Sequence, residues 1–240
     1  MREPSVGVVI PTYNEVHNIG SLIIQLNKSF KEHKISILVV DDGSLDGTGK
    51  VVTSLKDHFD VDLIDRRNKK GLGTAIIEGL KASFTYSYDY IVTMDADFSH
   101  DPRDAPRLVE ACNTSDISLG SRYVKGGKVY GTSVLRRFVS YVGNISVSSL
   151  LGMNVLDCTS GFKCYKTDVI KCLVPCLKSK GFDIQIELLY RAIIAGYTVN
   201  EVPIVFRNRS LGKSKINPYE IAKCLSVFKN CSKGRIISNS

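Results

Sequence analysis

The sequence predicts an α/β fold with a doubly wound, mostly parallel β-sheet and helices on both of its faces. Four short apolar runs alternate with segments in which apolar residues recur at helical spacing, all within the first 100 residues. The first run is apolar throughout, which is typical of a parallel strand covered on both faces. The length of 240 residues suits one large domain with a sizeable core.

The predicted elements of the first half can be justified in chain order. The first strand covers residues 5–10 and stops at Pro11, which cannot donate a hydrogen bond within a central ladder. Apolar residues at helical spacing between 19 and 26 predict the first helix. Further strands are predicted at residues 35–40, 61–64, 90–94 and 116–119, and a helix should follow each of the first three.

The second half is expected to contain two helices and two strands. The helices are predicted at residues 132–151 and 182–195. Residues 160–165 are predicted to form an edge strand. Residues 199–206 should form a second edge strand, because Pro203 interrupts them.

Asp95 and Asp97 directly follow the fourth predicted strand. In an extended chain, residues two apart point to the same side. Two neighbouring carboxylates repel each other, and burying them without a partner is costly. A divalent cation removes this conflict, and hard oxygen ligands suit Mg²⁺ or Mn²⁺. For an isolated Asp-x-Asp, a turn with two solvated acids would be the better interpretation.

Two other strand ends carry similar residues. Tyr13 and Glu15 follow the first strand, and Asp41 and Asp42 follow the second. Doubly wound sheets bind ligands at the carboxyl ends of their strands. We therefore expect all three clusters to open onto one crevice, and their coincidence favours a ligand site over solvated turns.

The charge distribution suits a metal site that faces an anionic ligand. Residues 1–100 carry a net charge of −3, residues 101–200 carry +5 and residues 201–240 carry +6. The sequence contains no nucleic-acid-binding motif, so no nucleic-acid partner is expected. The seven cysteines form no Cys-x-x-Cys pair, which argues against structural zinc and favours free thiols. No apolar run approaches transmembrane length.

Four segments leave two interpretations open. Residues 71–73, Gly-Leu-Gly, would either cradle a phosphate or form a tight turn. The helix at 132–151 would either pack on the core or lie at a membrane surface. Asp183 and Glu187 would either approach the crevice or be solvated. The basic segment 207–215 would be either a lid over phosphates or a solvated loop.

Seven motifs in order identify a family. They are Val-Val-Ile-Pro-Thr-Tyr-Asn-Glu (8–15), Val-Val-Asp-Asp-Gly-Ser-Leu-Asp-Gly-Thr (39–48), Gly-Leu-Gly-Thr-Ala (71–75), Met-Asp-Ala-Asp-Phe-Ser-His (94–100), Gly-Ser-Arg-Tyr (120–123), Ser-Gly-Phe-Lys (160–163) and Arg-Ser-Leu-Gly-Lys-Ser-Lys (209–215). Together they resemble the family-two inverting glycosyltransferases, which have a GT-A fold. The similarity is greatest to members that transfer mannose from GDP-mannose to dolichyl phosphate.

The resemblance implies a role for individual residues. Those that would hold the guanosine are Pro11, Tyr13, Glu15, Val40 and Asp42. Those at the donor diphosphate are Asp95, Ala96 and Asp97. The residues that would surround the donor and acceptor phosphates are Arg122, Arg136, Arg209 and Lys215. Of all these, the catalytic residues would be Asp97, Arg122, Arg209 and Lys215.

The resemblance also implies a Mg²⁺ or Mn²⁺ ion held by Asp95, Asp97 and Ser99. Some relatives carry Gln as a further ligand at the position of Ser99. Because a hydroxyl is a weaker oxygen ligand, we expect water to complete the coordination. His100 lies near this site, and we expect it to orient the loop rather than to take part in catalysis.

Residues 1–216 would form the glycosyltransferase domain, and residues 217–240 a basic amphipathic tail for membrane or partner association. Many relatives continue into C-terminal transmembrane helices, and this sequence resembles the short form without them. The implied partners are then a membrane surface and small membrane subunits. The implied location is peripheral, on the cytosolic face of the endoplasmic reticulum membrane.

Other activities remain possible on the sequence. One is transfer of glucose from UDP-glucose to dolichyl or polyprenyl phosphate. Another is binding of a nucleotide sugar without turnover, although the basic segment 207–215 argues against it. A nucleotidyltransferase should carry a glycine-rich basic loop after the first strand, and residues 11–15 are not such a loop.

Overall fold

The computed structural model describes residues 3–30, 33–68 and 70–208. The strands in these ranges are β1 Ser5–Thr12, β2 Lys34–Asp41, β3 Val61–Asp65, β4 Tyr90–Thr93, β5 Ile117–Ser121, β6 Lys128–Tyr130, β7 Lys163–Lys166, β8 Val199–Pro203 and β9 Val205–Arg207. The α-helices are α1 Ile19–Ser29, α2 Thr48–Ser54, α3 Leu72–Ala82, α4 Ala105–Ala111, α5 Val134–Leu150, α6 Thr167–Leu173 and α7 Ile184–Ile194.

The main sheet has seven strands in the order β3-β2-β1-β4-β7-β5-β8. Neighbouring strands are parallel except at β7, which runs antiparallel to both β4 and β5. The predicted α/β fold with a mostly parallel sheet is confirmed. A separate two-stranded sheet pairs β6 with β9.

The position of β7 corrects one prediction. Residues 160–165 were expected at a sheet edge, but the strand begins at Lys163 and lies between β4 and β5. Lys163, Cys164 and Tyr165 are fully buried, as an interior strand requires. The final strand is correctly predicted as an edge: β8 borders the main sheet and ends at Pro203, and the chain then enters the small sheet as β9.

Helices cover both faces of the main sheet, as predicted. On one face, apolar residues of α1, α2 and α4 pack against alternate residues of β1 and β2, such as Val8 and Ile37. On the other face, α3, α6 and α7 pack against the intervening residues, such as Val9 and Val40. Because successive side chains of a strand point to opposite faces of the sheet, each of these strands contributes residues to two hydrophobic cores. A third cluster joins α7 to the C-terminal end of α5.

This arrangement places the ends of β1, β2 and β4 side by side, because β1 pairs in parallel with both of the others. Among the described residues, no helix is long and apolar enough to cross a membrane. The five cysteines in these ranges are all free thiols. The predicted domain boundary at 216 and the tail at 217–240 lie outside the described residues.

Candidate active site

A cavity of about 460 Å³ opens at the carboxyl ends of β1, β2 and β4. It lies where the sheet topology brings these ends together, as expected of a doubly wound fold. The predicted site residues that line it are Pro11, Tyr13, Glu15, Asp42, Asp95, Ala96, Asp97, Ser99, Arg122 and Arg136. The expected convergence of three strand ends on one crevice is therefore present in the structure.

The acid pair lies at the floor of this cavity. Asp95 and Asp97 follow β4 and are both partly exposed, with Ala96 buried between them. A Cβ atom on Gly161 would lie 3.2 Å from Asp95 Oδ1, so only glycine leaves the present space beside this carboxylate. Asp97 Oδ1 accepts a hydrogen bond of 3.0 Å from the backbone N–H of Ser99.

The turn after Asp97 adopts an unusual backbone conformation. Phe98 has a φ of 58°, in the left-handed region that bulky residues rarely occupy. This conformation accompanies the approach of the Ser99 N–H to Asp97. The carbonyl of Ser99 in turn accepts from the N–H of Arg207, which ties the turn to β9. Phe98 packs against the core, while its neighbours Asp97 and Ser99 line the cavity, and such a φ beside a ligand site is typical of functional sites.

His100 orients the same turn. Its ring is buried, stacks on Phe162 with centroids 5.0 Å apart, and meets Phe206 edge-on at 5.7 Å. Burial lowers the pKa of His100, although Asp95 and Asp97 act in the opposite direction. Nδ1 of the neutral ring then accepts the N–H of Asp95 at 3.4 Å. The geometry is that of the orienting residue expected from the sequence.

The segment after β1 is hydrogen-bonded to Asp46 and Thr48, at the N-terminal end of α2. Asp46 accepts hydrogen bonds from the N–H of Thr48, the hydroxyl of Thr48 and the N–H of Val16. The Thr48 hydroxyl also receives the N–H of Glu15 at 2.9 Å. Partial burial alone would raise the pKa of Asp46, but these hydrogen bonds lower it. Tyr13 and Glu15 are thereby fixed at the cavity wall.

Asp42 and Val40 occupy different environments. The Asp42 carboxylate is buried, forms an ion pair of 2.8 Å with Arg66, and accepts the N–H groups of Lys70 and Gly71. It borders the cavity and also anchors the start of α3. Val40 is fully buried and packs against α3 in the core, so its side chain does not line the cavity. Val40 pairs with Pro11 in the β1–β2 register, but of these two residues only Pro11 lines the cavity.

The glycines at the start of α3 serve close packing. A Cβ atom on Gly73 would lie 2.6 Å from the carbonyl oxygen of Ser179 and 2.8 Å from that of Gly181. The N–H of Gly73 donates to the carbonyl of Lys180. The backbone of residues 179–181 thus fills the space next to these glycines, in agreement with a tight turn rather than a phosphate cradle.

Glu187 holds that neighbouring loop in place. Its buried carboxylate accepts from the N–H groups of Lys178 and Ser179 and pairs with Arg191 Nε at 2.8 Å. Burial would raise the pKa of Glu187, but the hydrogen bonds lower it. Neither interpretation given for Glu187 applies, because it is a buried structural acid. Asp183 accepts the N–H of Gly181 in the same loop, and Gly181 and Phe182 line the cavity.

Arg122 brings a cation to the opposite wall. Its Nε lies 2.7 Å and its Nη2 2.5 Å from the two oxygens of Asp157, and Nη2 also donates to Thr159. Burial alone would lower the pKa of Arg122, but Asp157 raises it well above its usual value. Asp157 is fully buried, and its own N–H donates to Glu201 of β8. Asp157 lies between β5 and β7, and no motif or spacing in the sequence marks it as a site residue.

Helix α5 supplies two more arginines to this wall. Arg136 was predicted to lie at the site, and Arg137 lines the cavity as well. Ser140, one turn further on, accepts a hydrogen bond of 2.8 Å from the Tyr123 hydroxyl. Arg137, Ser140, Asn144 and Ser148 recur at helical spacing and form a narrow polar stripe on this helix. The signal that would have identified Arg137 is its position three residues before Ser140 on that stripe.

The apolar side of α5 faces outward. Its buried residues are Asn144, Val147 and Ser148, two of them polar. Its large exposed apolar or aromatic residues are Val134, Leu135, Phe138, Val139, Tyr141, Val142 and Leu150. An ordinary surface helix turns its apolar stripe towards the core. Residues 134–139 at the start of α5 are all exposed, polar and apolar alike, which contradicts a helix simply buried against the core.

Lys163 lies directly behind the cavity. It is fully buried, and its Nζ donates to the carbonyls of Ser160 and Gln185 and to Oε1 of Gln185. None of these three acceptors is a carboxylate. Burial lowers the pKa of Lys163 to about 7, although Asp157, Cys158 and Asp95 act in the opposite direction.

The donor set at the acid pair fits Mg²⁺ or Mn²⁺. Two carboxylates and the Ser99 hydroxyl line one cavity, and all are hard oxygen ligands. Within the described ranges, no group of three or more His, Cys, Asp and Glu side chains is arranged to hold a metal ion. Magnesium usually binds through one or two carboxylates together with substrate phosphates and water. Arg209 and Lys215, predicted to face those phosphates, lie outside the described residues.

Comparison with known sequences identifies relatives along most of the chain. The family described as Glycosyl transferase family 2 matches residues 7–174. An undecaprenyl-phosphate mannosyltransferase of Micrococcus luteus is 37% identical over 211 residues, which cover 87% of this chain and 86% of that protein. A polyprenol monophosphomannose synthase of Mycolicibacterium smegmatis is 38% identical over 222 residues, covering 91% of this chain and 83% of that protein.

Solved structures share the fold at lower sequence identity. Glucosyl-3-phosphoglycerate synthase from Mycobacterium tuberculosis, in complex with Mn²⁺, UDP and glucosyl-3-phosphoglycerate, superposes with a TM-score of 0.70 at 18% identity. The alignment covers 97% of this chain and 81% of that one. The same enzyme with Mg²⁺ and UDP gives a TM-score of 0.69 at 19% identity and the same coverage.

The environment of Lys163 predicts a pH dependence of stability. Its pKa is about 7 in the folded state and 10.5 in its ordinary environment. Between these values the unfolded chain binds a proton that the folded chain does not, so this group makes the free energy of unfolding rise with pH. Lys163→Met should flatten that rise between about pH 7 and pH 9, as measured by urea unfolding.

The exposed Lys171 of α6 provides the matched control. In Lys171→Met, the free energy of unfolding should rise with pH as steeply as it does in the wild type. An equally steep rise in Lys163→Met would show that the buried ammonium of Lys163 does not titrate in this range.

Proposed function

The chain belongs to glycosyltransferase family 2, and we propose that it transfers mannose from a nucleotide sugar to a polyprenyl phosphate. Our specific proposal is GDP-mannose as donor and dolichyl phosphate as acceptor, with inversion at the anomeric carbon. The observation that carries the proposal is one cavity that faces Asp95 and Asp97 with Arg122, Arg136 and Arg137.

The acidic half of the cavity suits the donor. Tyr13, Glu15 and Asp42 are fixed at the ends of β1 and β2 and would contact the nucleoside. Asp95, Asp97 and Ser99 would hold a Mg²⁺ or Mn²⁺ ion. A bound divalent ion supplies Lewis-acid neutralisation of the charge that develops on a leaving diphosphate. The structures of M. tuberculosis glucosyl-3-phosphoglycerate synthase in complex with UDP and Mn²⁺ or Mg²⁺ support this assignment.

The basic half suits a second phosphate. Two unit charges 4 Å apart interact by about 4 kcal/mol at an effective dielectric constant of about 20, so two phosphates cannot approach unaided. Asp157 already pairs with Arg122, which fixes the guanidinium in place. We assign acceptor binding to Arg122, Arg136 and Arg137 together, because all three line this part of the cavity. The predicted contributions of Arg209 and Lys215 belong to the same proposal.

The proposed step is a direct displacement. One oxygen of the acceptor phosphate bonds to the anomeric carbon while the bond from that carbon to the diphosphate breaks. GDP leaves with the bonding electrons. A phosphate is already anionic, so no general base is needed. His100, neutral and hydrogen-bonded to the Asp95 N–H, then serves as a positioning residue.

A lipid acceptor accounts for the exposed apolar side chains of α5. We propose that its outer face, defined as Leu135, Val139 and Val142, lies in a membrane surface. These residues recur at i, i+4 and i+7, so they share one side of the helix. Arg136 and Arg137 would then meet a lipid phosphate at headgroup level. The small membrane subunits and the location at the endoplasmic reticulum stay predictions.

The donor and acceptor can be identified in one assay. The protein is incubated in detergent with labelled GDP-mannose or UDP-glucose and with dolichyl or undecaprenyl phosphate. We expect mannose to enter the lipid fraction, with dolichyl phosphate the better acceptor. Preferential transfer to undecaprenyl phosphate would correct the acceptor. Transfer of glucose instead, or of neither sugar, would refute the proposed activity.

The membrane contact predicts a loss of vesicle binding. Leu135→Ser combined with Val139→Ser should lower the fraction of the protein that sediments with anionic vesicles. The partition coefficient should decrease by at least about tenfold. The control is Ile194→Ser on α7, also an exposed apolar side chain. Unchanged sedimentation of the double variant would remove α5 from the membrane contact.

A further inference from the structure

A second cavity of about 490 Å³ adjoins the first and lies between β6 and the N-terminal half of α5. We call it the α5 groove. Its lining residues include Val129, Tyr130, Val134, Phe138 and Tyr141. The two cavities share the lining residues Arg122, Tyr123, Val129 and Arg137. The groove is therefore a continuation of the basic half of the site.

Most side chains that line the groove are apolar or aromatic, and several of them are exposed. Val134, Phe138 and Tyr141 form one stripe along α5 at i, i+4 and i+7. Val134 is 74% exposed and Phe138 is 63% exposed. Tyr130 of β6 forms the facing wall and is 48% exposed. Contiguous exposed apolar surface next to a polar site is typical of a ligand groove.

Two of the three charged side chains of the groove lie where it meets the first cavity, and the third, Lys128, lines the groove alone. Arg122 and Arg137 line both cavities. The Arg122 guanidinium also lies over the rings of Tyr123 and Phe206, 5.1 Å and 5.2 Å from their centroids. A ligand that fits this layout carries an anionic group at one end and an apolar chain directly attached to it.

We propose that the α5 groove binds the first isoprenoid units of the acceptor, next to its phosphate. This inference rests on the proposed function and assigns the acceptor chain a protein site of its own. The outer face of α5 is separate, because Leu135, Val139 and Val142 line neither cavity. On this basis the membrane delivers the lipid, and the groove selects and aligns its proximal end.

The first experiment separates the groove from the membrane by using farnesyl phosphate in detergent without vesicles. Phe138→Ser should raise KM for this acceptor about tenfold, which corresponds to about 1.4 kcal/mol of lost binding free energy. The value of kcat should change little, because binding in the ground state and the transition state is lost equally. Val134→Ser should act in the same direction.

The matched control is Leu150→Ser, an exposed apolar residue of the same helix that lines neither cavity. It should leave both kinetic constants unchanged. A KM for Phe138→Ser equal to that of the wild type, or the same rise in Leu150→Ser, would overturn the groove assignment.

A second readout does not depend on sugar transfer. Farnesyl phosphate with a diazirine in its chain is photolysed with the protein, and the labelled peptides are mapped by mass spectrometry. We expect label in the peptides that contain Tyr130 and Phe138, and less label in Phe138→Ser. Label in the groove peptides without any sugar transfer to the acceptor would refute the proposed function but not the groove assignment. Sugar transfer with label only in other peptides would refute the groove assignment but not the proposed function.

Discussion

The repulsion between two carboxylates at the end of one buried strand is the constraint on which this site depends. Asp95 and Asp97 follow β4, which lies between β1 and β7 and has little freedom to move. The left-handed Phe98, the His100 ring and the missing side chain at Gly161 all shape the backbone around the pair. Two carboxylates and a hydroxyl in one cavity are hard oxygen ligands of the kind that Mg²⁺ and Mn²⁺ prefer. We propose that the metal ion and the donor diphosphate complete this site. The fold therefore places the two carboxylates where a metal-bound substrate can bind them.

The site separates its charges in space, and this separation follows from the fold. Acids come from the ends of parallel strands β1, β2 and β4, whereas the arginines come from the β5 end and from α5. Asp157 fixes Arg122 in place, and α5 adds Arg136 and Arg137 to the same wall. The same helix turns apolar residues outward. One element therefore links the proposed lipid surface to the proposed phosphate chemistry.

The fold and the acidic half of the site could be predicted because both depend on local patterns. Strands, helical spacing and residues at strand ends are all visible within short windows of sequence. The rest depends on contacts between distant segments. Lys163 looks like a polar edge residue until Gln185 is brought to it. Asp157 and Glu187 gain their roles from Arg122 and from residues 178–179. The place of β7 depends on a pairing that no single strand encodes.

The most direct test of the central claim is the metal dependence of nucleotide binding. GDP affinity is measured by calorimetry with and without Mn²⁺ for wild type, Asp97→Asn and the exposed-acid control Asp168→Asn. We expect Mn²⁺ to tighten GDP binding to the wild type and the control by about tenfold or more. Asp97→Asn, which keeps the shape but removes one charge, should lose that enhancement. An enhancement that survives in Asp97→Asn, or none in the wild type, would contradict the account.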